Sequence, residues 1–315
     1  MSTDNQAPLY DCRNAWSATV AELARENERI AVVVNDSVGS SKLDAFREEF
    51  PTRTINVGIA EQDMVGVGAG LANGGYIPFV SAAGSFLATR AFEQIKVDAA
   101  YSQYNVKLIA QSPGVAYGDL GPTHHSVEDL TLMRALPGLT VVAPVDPRET
   151  EQVIRWAAEA EGPTYIRISR MPVPAIYPED YEFQLGKAVT LREGSDVTLI
   201  ATGTVVSRAL DAAKLLEDEG IFARVISMPT IKPIDREAVV SAARDTKGLV
   251  TVEEGLVTGL GGAVAEVVVS ESPCPVASIG LQDEFAITGK PEWLLDYYGA
   301  SPQGIADSAR KLVSA

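Results

Sequence analysis

The chain has 315 residues, of which 46% are hydrophobic and 22% charged, a composition typical of a globular protein with about two domains. Its formal net charge of −16 argues against nucleic acid and anionic membranes as partners, because both are bound through clustered Lys and Arg. The two cysteines lie far apart and indicate a reducing compartment rather than a disulfide framework.

Other features of the composition exclude further classes. The only two histidines, His124 and His125, are adjacent, so no metal site built on histidines is expected. No apolar run reaches the ~20 residues of a membrane-spanning helix. The polar, acidic N-terminus does not resemble a signal peptide, and we expect a cytoplasmic protein.

Strands and helices alternate along the first half of the chain, which predicts an α/β fold with a parallel sheet covered on both faces. Apolar runs predict strands at 30–34, 76–80, 106–110, 139–143 and 164–168, and a further strand that ends near residue 57. Helical periodicity predicts helices at 11–28, 90–101, 128–135 and 148–158. Two further helices are predicted, one that begins near residue 43 and one that follows residue 61. Residues 35–37 follow the first of these strands, at the edge of an open α/β sheet where ligands bind.

The second half of the chain predicts another parallel-sheet α/β unit. A proline-rich, aperiodic stretch after Arg170 divides the chain into a first domain at 1–170, a linker at 171–187 and a second domain at 188–315. Strands are predicted at 197–201, 223–226, 248–252 and 275–279, and helices at 205–219, 261–269, 291–298 and 302–313.

The stretch 56–75, NVGIAEQDMVGVGAGLANGG, places one carboxyl, Glu61, at the start of a helix rich in glycine. Gly66, Gly68 and Gly70 each cost about 1 kcal/mol in a helix, which predicts a helix buried closely against a partner. Glu61 is then either an ordinary helix cap or a catalytic group.

This stretch resembles the pyrimidine-binding domain of the transketolase family of thiamine diphosphate enzymes. The resemblance implies that Glu61 is catalytic and binds the cofactor: it bonds a ring nitrogen of the aminopyrimidine and favours the imino tautomer that activates the cofactor. Such a carboxyl holds or shares a proton near neutral pH, and the apolar run behind Glu61 predicts a raised pKa.

The loop 112–125, SPGVAYGDLGPTHH, follows a predicted buried strand and carries both histidines. It is either a surface loop whose histidine binds a backbone group or part of a site, since histidine titrates near neutral pH. GPTHH resembles a substrate loop of transketolases and deoxyxylulose-phosphate synthase, which implies proton transfer and substrate binding by His124. Ser112 stands where this family commonly has a histidine, and Leu120, next to Asp119, stands where it commonly has an aspartate. The resemblance implies that Ser112 and Asp119 contact the substrate and that the two replacements alter the sugar specificity.

The segment GSFLATRAFEQI contains Phe86, Arg90 and Phe92 near a predicted strand–helix junction. Two phenylalanines in such a place are usually core residues. The resemblance implies instead that Phe86 stacks on the aminopyrimidine, with Phe92 supporting it and Arg90 nearby in the cofactor site.

Three further residues are expected to bind the acidic end of a sugar phosphate. Arg170 follows the predicted strand 164–168, where it could grip phosphate or form an ordinary surface ion pair. The resemblance implies phosphate contact for Arg170 and Ser40, with Arg13 joining them.

The segment 250–267, VTVEEGLVTGLGGAVAEV, places Gly261 and Gly262 before an apolar helix, which predicts an anion-binding helix start. It resembles the C-terminal domain of transketolases and of 2-oxo-acid dehydrogenase β subunits, a mainly structural domain that helps form the dimer. Gly255 replaces a histidine that is common there.

The resemblance covers the chain from about Cys12 to Leu312 but lacks the family's GDG…N segment, which holds Mg²⁺ and the diphosphate. It therefore implies the C-terminal subunit of a split transketolase that transfers a two-carbon ketol unit from a ketose phosphate to an aldose. Thiamine diphosphate would be shared with a separate N-terminal, diphosphate-binding subunit that holds Mg²⁺, in an α2β2 assembly containing a self-dimer of this chain. A 2-oxo-acid dehydrogenase β subunit, a deoxyxylulose-phosphate synthase-like enzyme and a non-catalytic scaffold subunit are the alternatives.

Overall fold

The structure, a computed structural model, describes residues 8–314. The first half of the chain contains the following elements: β1 (Leu9–Tyr10), α1 (Cys12–Glu26), β2 (Ile30–Val34), α2 (Asp44–Glu49), β3 (Thr54–Asn56), α3 (Glu61–Asn73), β4 (Ile77–Ala83), α4 (Phe92–Gln94), β5 (Lys107–Gln111), α5 (Asp129–Ala135), β6 (Thr140–Val142), α6 (Pro147–Glu159) and β7 (Thr164–Ile168). The remainder contains these: β8 (Val173–Pro174), β9 (Val189–Arg192), β10 (Val197–Ala201), α7 (Val206–Glu217), β11 (Ala223–Ser227), β12 (Thr230–Lys232), α8 (Arg236–Asp245), β13 (Leu249–Leu256), α9 (Leu260–Glu271), β14 (Val276–Leu281), α10 (Pro291–Tyr297) and α11 (Pro302–Ser314).

Two mostly parallel sheets organise these elements, which confirms the expected α/β class. The first has the strand order β12-β6-β7-β5-β4-β2-β3, and the second has the order β14-β13-β10-β11-β9. Strands β2, β4, β5 and β7 are buried along their whole length, as their continuous apolar runs predict for a sheet covered on both faces.

Each sheet ends in an antiparallel edge strand that the sequence did not predict. Strand β9 pairs with β11, and β12 crosses from the second half of the chain to pair with β6 of the first sheet. The expectation of purely parallel sheets is therefore wrong at these two edges. A three-residue strand such as β12 is too short to leave a periodic signal, and its pairing depends on long-range packing.

The proline-rich segment 171–187 is packed against the first domain. Its strand β8 pairs with β1, and the Tyr177 and Phe183 side chains are buried. The Asp146 carboxylate at the start of α6 accepts hydrogen bonds from the backbone N–H groups of Ile176 and Tyr177, at 2.7 and 2.8 Å. These contacts hold the segment in one path between the two sheets.

Helix α3 is buried on one face of this chain and exposed on the other, so the expected packing against a partner stays a prediction. Gly68 lies against β4, where an added Cβ would come 2.5 Å from a methyl group of Val80. Gly70 lies on the exposed face, with nothing within 4 Å of an added Cβ. The close approach that the glycines predict is thus made inside the chain by Gly68.

The helix predicted at 90–101 begins earlier and is largely π-helical. Turns of π-helix cover Phe86–Arg90 and Ile95–Tyr101, on either side of the short α4. Such turns are rare and occur frequently at functional sites. Among residues 8–314, no helix combines the length and the apolar character required to cross a bilayer.

Candidate active site

The residues singled out in the sequence meet along one edge of the first sheet, at the carboxyl ends of its parallel strands. Asn35 follows β2, Phe86 follows β4, the loop with His124 follows β5, and Arg170 follows β7, while Glu61 begins the helix after β3. This edge is the place where open α/β sheets bind their ligands.

The Glu61 carboxylate is almost completely buried, with 1% exposure, and both of its oxygens accept hydrogen bonds. Asn35 Nδ2 donates to Oε1 at 3.0 Å, and Arg90 Nη1 donates to Oε2 at 2.7 Å. Burial acts to raise the pKa of Glu61, but the hydrogen bonds from Arg90 and Asn35 outweigh it and the pKa is lowered. The expected upward shift of the Glu61 pKa is therefore wrong for the cofactor-free chain, because polar partners face this carboxyl.

Phe86 and Arg90 lie together beside Glu61. The Arg90 guanidinium is 4.5 Å from the centroid of the Phe86 ring while it donates to the Glu61 carboxylate. The planar hydrogen-bond donor that lies between the Phe86 ring and the Glu61 carboxylate is therefore the Arg90 guanidinium. The partly buried Phe92 packs against the hydrophobic core behind this turn.

The two adjacent histidines have different surroundings. The His124 ring makes edge contacts with Phe86 and Tyr117, at centroid distances of 5.3 and 5.9 Å, and its Nδ1 lies 3.0 Å from Thr123 Oγ1. The His125 ring is buried, and its Nε2 lies 3.2 Å from the Gly118 carbonyl oxygen. Burial lowers the pKa of His125 against the opposing effect of that carbonyl. Of the two histidines, His124 is thus the one whose ring contacts Phe86.

Arg170 joins the site through Tyr117, a residue that the sequence analysis missed. The Arg170 guanidinium lies 5.0 Å from the centroid of the Tyr117 ring, and Tyr117 in turn contacts His124. Arg170 is exposed at the end of β7. Nothing in the sequence around an aromatic residue in a glycine-rich loop indicates that its ring will contact a distant arginine. Asn35 was also missed as a site residue, although its place after β2 gave a signal.

Ser40 lies in the loop after β2, and Arg13, in the first turn of α1, contacts that loop. Ser40 is exposed, and its hydroxyl donates to the Ser37 carbonyl oxygen at 3.1 Å. The buried Arg13 side chain forms an ion pair with Asp11 at 2.6 Å and donates to the Ser40 carbonyl oxygen at 2.9 Å. The guanidinium of Arg13 is therefore engaged in holding this loop, and only Ser40 presents a side chain to solvent.

The other two expected substrate residues differ in exposure. Ser112 is buried at 1% exposure with φ of +54°, and its hydroxyl has no hydrogen-bond partner among the described residues. Asp119 and Leu120 are exposed in a short turn at the tip of the loop. The structure thus brings Glu61, Phe86, Arg90 and His124 into one group, which Tyr117 connects to Arg170.

The N-terminus of α9 is not an open anion site, so that expectation is wrong. The Glu253 carboxylate accepts hydrogen bonds from the backbone N–H groups of Leu260 and Gly261, at 3.0 and 2.8 Å. The anion at this helix start is therefore a side chain of the same protein. Within residues 8–314, no group of three or more His, Cys, Asp or Glu side chains is arranged to hold a metal ion.

Comparison with known families identifies both halves of the chain. A family model described as the pyrimidine-binding domain of transketolase matches residues 10–175, and one described as the transketolase C-terminal domain matches residues 186–305. The chain belongs to the transketolase family.

Its relatives include separate transketolase subunits of similar length. A subunit of the apulose-4-phosphate transketolase of Phocaeicola vulgatus is 43% identical, over 97% of this chain and 98% of that protein. The 6-deoxy-6-sulfo-D-fructose transketolase subunit SqwH of a Clostridium species is 38% identical, over 95% of this chain and 94% of that protein. A solved structure described as a split gene transketolase, inactive beta4 tetramer, matches with a TM-score of 0.89 and 43% identity, over 96% of this chain and 98% of that one.

These findings confirm the expected family and the expected transketolase subunit. The similarity extends along nearly the full length of both partners in each of these comparisons. The alternatives of a 2-oxo-acid dehydrogenase β subunit, a deoxyxylulose-phosphate synthase-like enzyme or a scaffold are not favoured.

Proposed function

We propose that this chain supplies the aminopyrimidine side of the thiamine diphosphate site in a two-chain, cytoplasmic transketolase. The diphosphate and Mg²⁺ are then held by a separate N-terminal subunit, in an α2β2 assembly that contains a self-dimer of this chain. The observation that carries the proposal is the connected group of Glu61, Arg90, Phe86, His124 and Arg170 at the edge of the first sheet.

Each residue of this group has a defined task in the proposal. When bound, thiamine diphosphate supplies a nucleophilic carbon that accepts the two-carbon ketol unit. Glu61 accepts a hydrogen bond from a ring nitrogen, Phe86 stacks on the ring with Phe92 behind it, and Arg90 borders the same space. His124 moves protons at Nε2, since Nδ1 already lies against Thr123.

The donor in this proposal is a ketose with an anionic end group. Arg170 is exposed at the rim and offers a planar pair of donors for a phosphate or sulfonate. Ser40 is exposed and binds the same end group, while Arg13 fixes the Ser40 loop. Asp119 contacts sugar hydroxyls, and Ser112 shapes the floor of the pocket. The exposed Leu120 favours a sugar that needs no hydrogen bond at that point.

The decisive experiment is reconstitution. The chain is purified alone and co-expressed with its neighbouring reading frame, and both samples are assayed with thiamine diphosphate, Mg²⁺ and a panel of phosphorylated and sulfonated ketoses. Activity in the co-expressed sample alone is expected, and activity of the single chain would refute the shared site.

A variant assay tests the role of Glu61. Glu61→Ala should lower kcat of the assembled enzyme by at least about 10²-fold, since it removes a group required for proton transfer. Asp63→Asn is the matched control, because Asp63 lies exposed in the same first turn of α3. Equal activity of Glu61→Ala and wild type would contradict the assignment.

A further inference from the structure

A carboxylate from the second sheet reaches the loop that carries His124. Glu254 lies on β13 and is buried at 2% exposure. Its Oε1 accepts a hydrogen bond from the Val115 backbone N–H at 3.0 Å, and its Oε2 accepts one from Thr204 Oγ1 at 2.6 Å. The start of the His124 loop is thus fixed to the C-terminal domain by a single side chain.

The backbone of Glu254 holds the far end of the same loop through Arg167. Arg167 Nη2 donates to the Glu254 carbonyl oxygen at 2.7 Å and to the Ser126 carbonyl oxygen at 3.3 Å. Arg167 Nε also donates to the Asp129 carboxylate at 3.0 Å, and Tyr165 donates to that carboxylate at 2.9 Å. The buried ion pair of Arg167 and Asp129 therefore anchors the exit of the loop beside its entry.

Gly114 makes the approach of Glu254 possible. Its φ is +60°, and an added Cβ would lie 2.4 Å from Glu254 Oε1. Gly114 and Ser126 also exchange two backbone hydrogen bonds, at 3.0 and 2.8 Å, which close the neck of the loop. Only glycine combines this backbone conformation with this contact.

We infer that Glu254 is a positioning residue for His124, so that the C-terminal domain sets the geometry of the active-site loop. Within the described residues, the His124 ring contacts Phe86, which lies outside the loop, and Thr123 and Tyr117, which belong to the loop itself. Its location therefore depends on the neck that Glu254 closes. The inference rests on the proposed function of His124 in proton transfer, where a displacement of about 1 Å costs about 10²-fold in rate.

The neighbouring Glu253 provides a matched control. It lies on the same strand, is buried to 1% exposure, and uses its carboxylate to cap α9 instead of the loop. Adjacent residues of a strand point to opposite sides, which explains why the two carboxylates serve different elements. Glu253→Gln disturbs a buried carboxylate of the same sheet but leaves both hydrogen bonds of the Glu254 carboxylate in place.

The test uses the fact that the full chain contains only two histidines. Their imidazole NMR signals, assigned by loss in His124→Asn and His125→Asn, report the loop in the isolated chain. Glu254→Gln should shift and broaden the His124 signal, since one oxygen that accepts a hydrogen bond becomes an NH₂ group that donates one.

Kinetics of the assembled enzyme give the second readout. The kcat of Glu254→Gln should fall at least about tenfold, with a smaller change in KM for the donor sugar. Thr204→Val removes the hydroxyl that donates to Glu254 and should cause smaller changes of the same sign in the His124 signal and in kcat. If Glu254→Gln does not fold, Thr204→Val is compared with Glu253→Gln in its place.

Four outcomes are informative. An unchanged His124 signal in a folded Glu254 or Thr204 variant would overturn the inference, as would an equal loss of kcat in Glu253→Gln. A shifted His124 signal with a selective loss of kcat supports it. If the assembled wild type has no transketolase activity, the proposed function fails, while the His124 signal still decides whether Glu254 positions the loop.

Discussion

The Glu61 carboxylate illustrates how polar neighbours, Arg90 and Asn35, reverse an expectation for its pKa that was based on burial. A buried carboxyl in apolar surroundings has a raised pKa, whereas Glu61 accepts a short hydrogen bond from Arg90 and has a lowered one. The Arg90 guanidinium also lies over one face of the Phe86 ring. Ionisation of Glu61 is therefore coupled to the position of Arg90.

We predict that Arg90→Met raises the pKa of Glu61, because it removes a cation and a hydrogen-bond donor while burial remains. The measurement is the pH titration of the Glu61 carboxyl ¹³C signal, identified by its loss in Glu61→Gln. Arg47→Met is the control, since Arg47 pairs with Asp44 on the surface of α2. A Glu61 pKa that stays at its wild-type value would show that Arg90 does not set it.

Tyr117 is predicted to support Arg170 through its ring. A cation–aromatic contact at an exposed site contributes about 0.5–1 kcal/mol. Tyr117→Leu should therefore raise KM for a phosphorylated donor about two- to fivefold, while Tyr117→Phe keeps the ring and the wild-type KM. Steady-state kinetics of the assembled enzyme measure both. A Tyr117→Phe variant as impaired as Tyr117→Leu would assign the effect to the hydroxyl instead.

At the scale of single residues, part of the candidate site could be predicted from the sequence. Glu61, Phe86, His124 and Arg170 stand in recognisable segments, so their identity and order along the chain sufficed to select them. Asn35 and Tyr117 contact Glu61 and His124 only because separate strands end at the same sheet edge. Such contacts depend on the register and packing of the sheet, which local sequence does not encode.

Helix α3 shows two uses of glycine within one element. Gly68 faces β4 and leaves no room for a methyl group, whereas Gly70 faces solvent with open space around it. Glycine lowers helix stability where nothing requires it. Gly70, on the exposed face, therefore lowers the stability of the single chain without a packing requirement inside that chain. This is consistent with the proposed contact with a second chain.

The two positions give a matched pair of substitutions. Gly68→Ala should destabilise the chain by about 1–3 kcal/mol, because Val80 has to move. Gly70→Ala should stabilise the isolated chain by about 0.5–1 kcal/mol. Urea unfolding of the isolated chain measures both effects.

The same Gly70 substitution should weaken assembly with the N-terminal subunit, which analytical ultracentrifugation detects. Assembly that is as strong for Gly70→Ala as for wild type would place the interface with that chain elsewhere.

At the level of elements, the parallel strands could be predicted and the antiparallel edges could not. Strands β2, β4, β5 and β7 are continuous apolar runs between helices, which is a strong local signal. Strand β12 has three residues and belongs to a sheet formed mainly by the other half of the chain. Its pairing with β6 follows from the packing of the two domains.

For the molecule as a whole, one buried acid joins the first domain to the segment between the sheets. The Glu149 carboxyl accepts hydrogen bonds from the Tyr181 hydroxyl at 2.6 Å and from the Val145 N–H at 2.8 Å. Burial raises the pKa of Glu149 to about 8, against the smaller lowering effect of these hydrogen bonds. Folding therefore keeps a proton on Glu149 at pH values where the unfolded chain has released it.

The sign of the resulting pH dependence follows from linkage. Between the unfolded pKa of 4.5 and the folded value of about 8, the folded chain holds one more proton than the unfolded chain at this residue. The free energy of unfolding should then fall by about 1.4 kcal/mol for each pH unit in this window. His125, whose pKa is lowered, opposes this trend below its ordinary value of 6.5, whereas Glu253, whose pKa burial raises to about 7, adds to it.

Glu149→Gln should remove this contribution, because the amide keeps the shape of the side chain but does not titrate. Urea unfolding at several pH values from about 5 to 8 should give a difference between wild type and Glu149→Gln that changes with pH by about 1.4 kcal/mol per unit. Glu151→Gln is the control, since Glu151 lies on α6 as well but pairs with Arg148 and Arg155 near the surface. A pH-independent difference for Glu149→Gln would mean that Glu149 is ionised in the folded chain, and that Tyr181 and the Val145 N–H stabilise its charge.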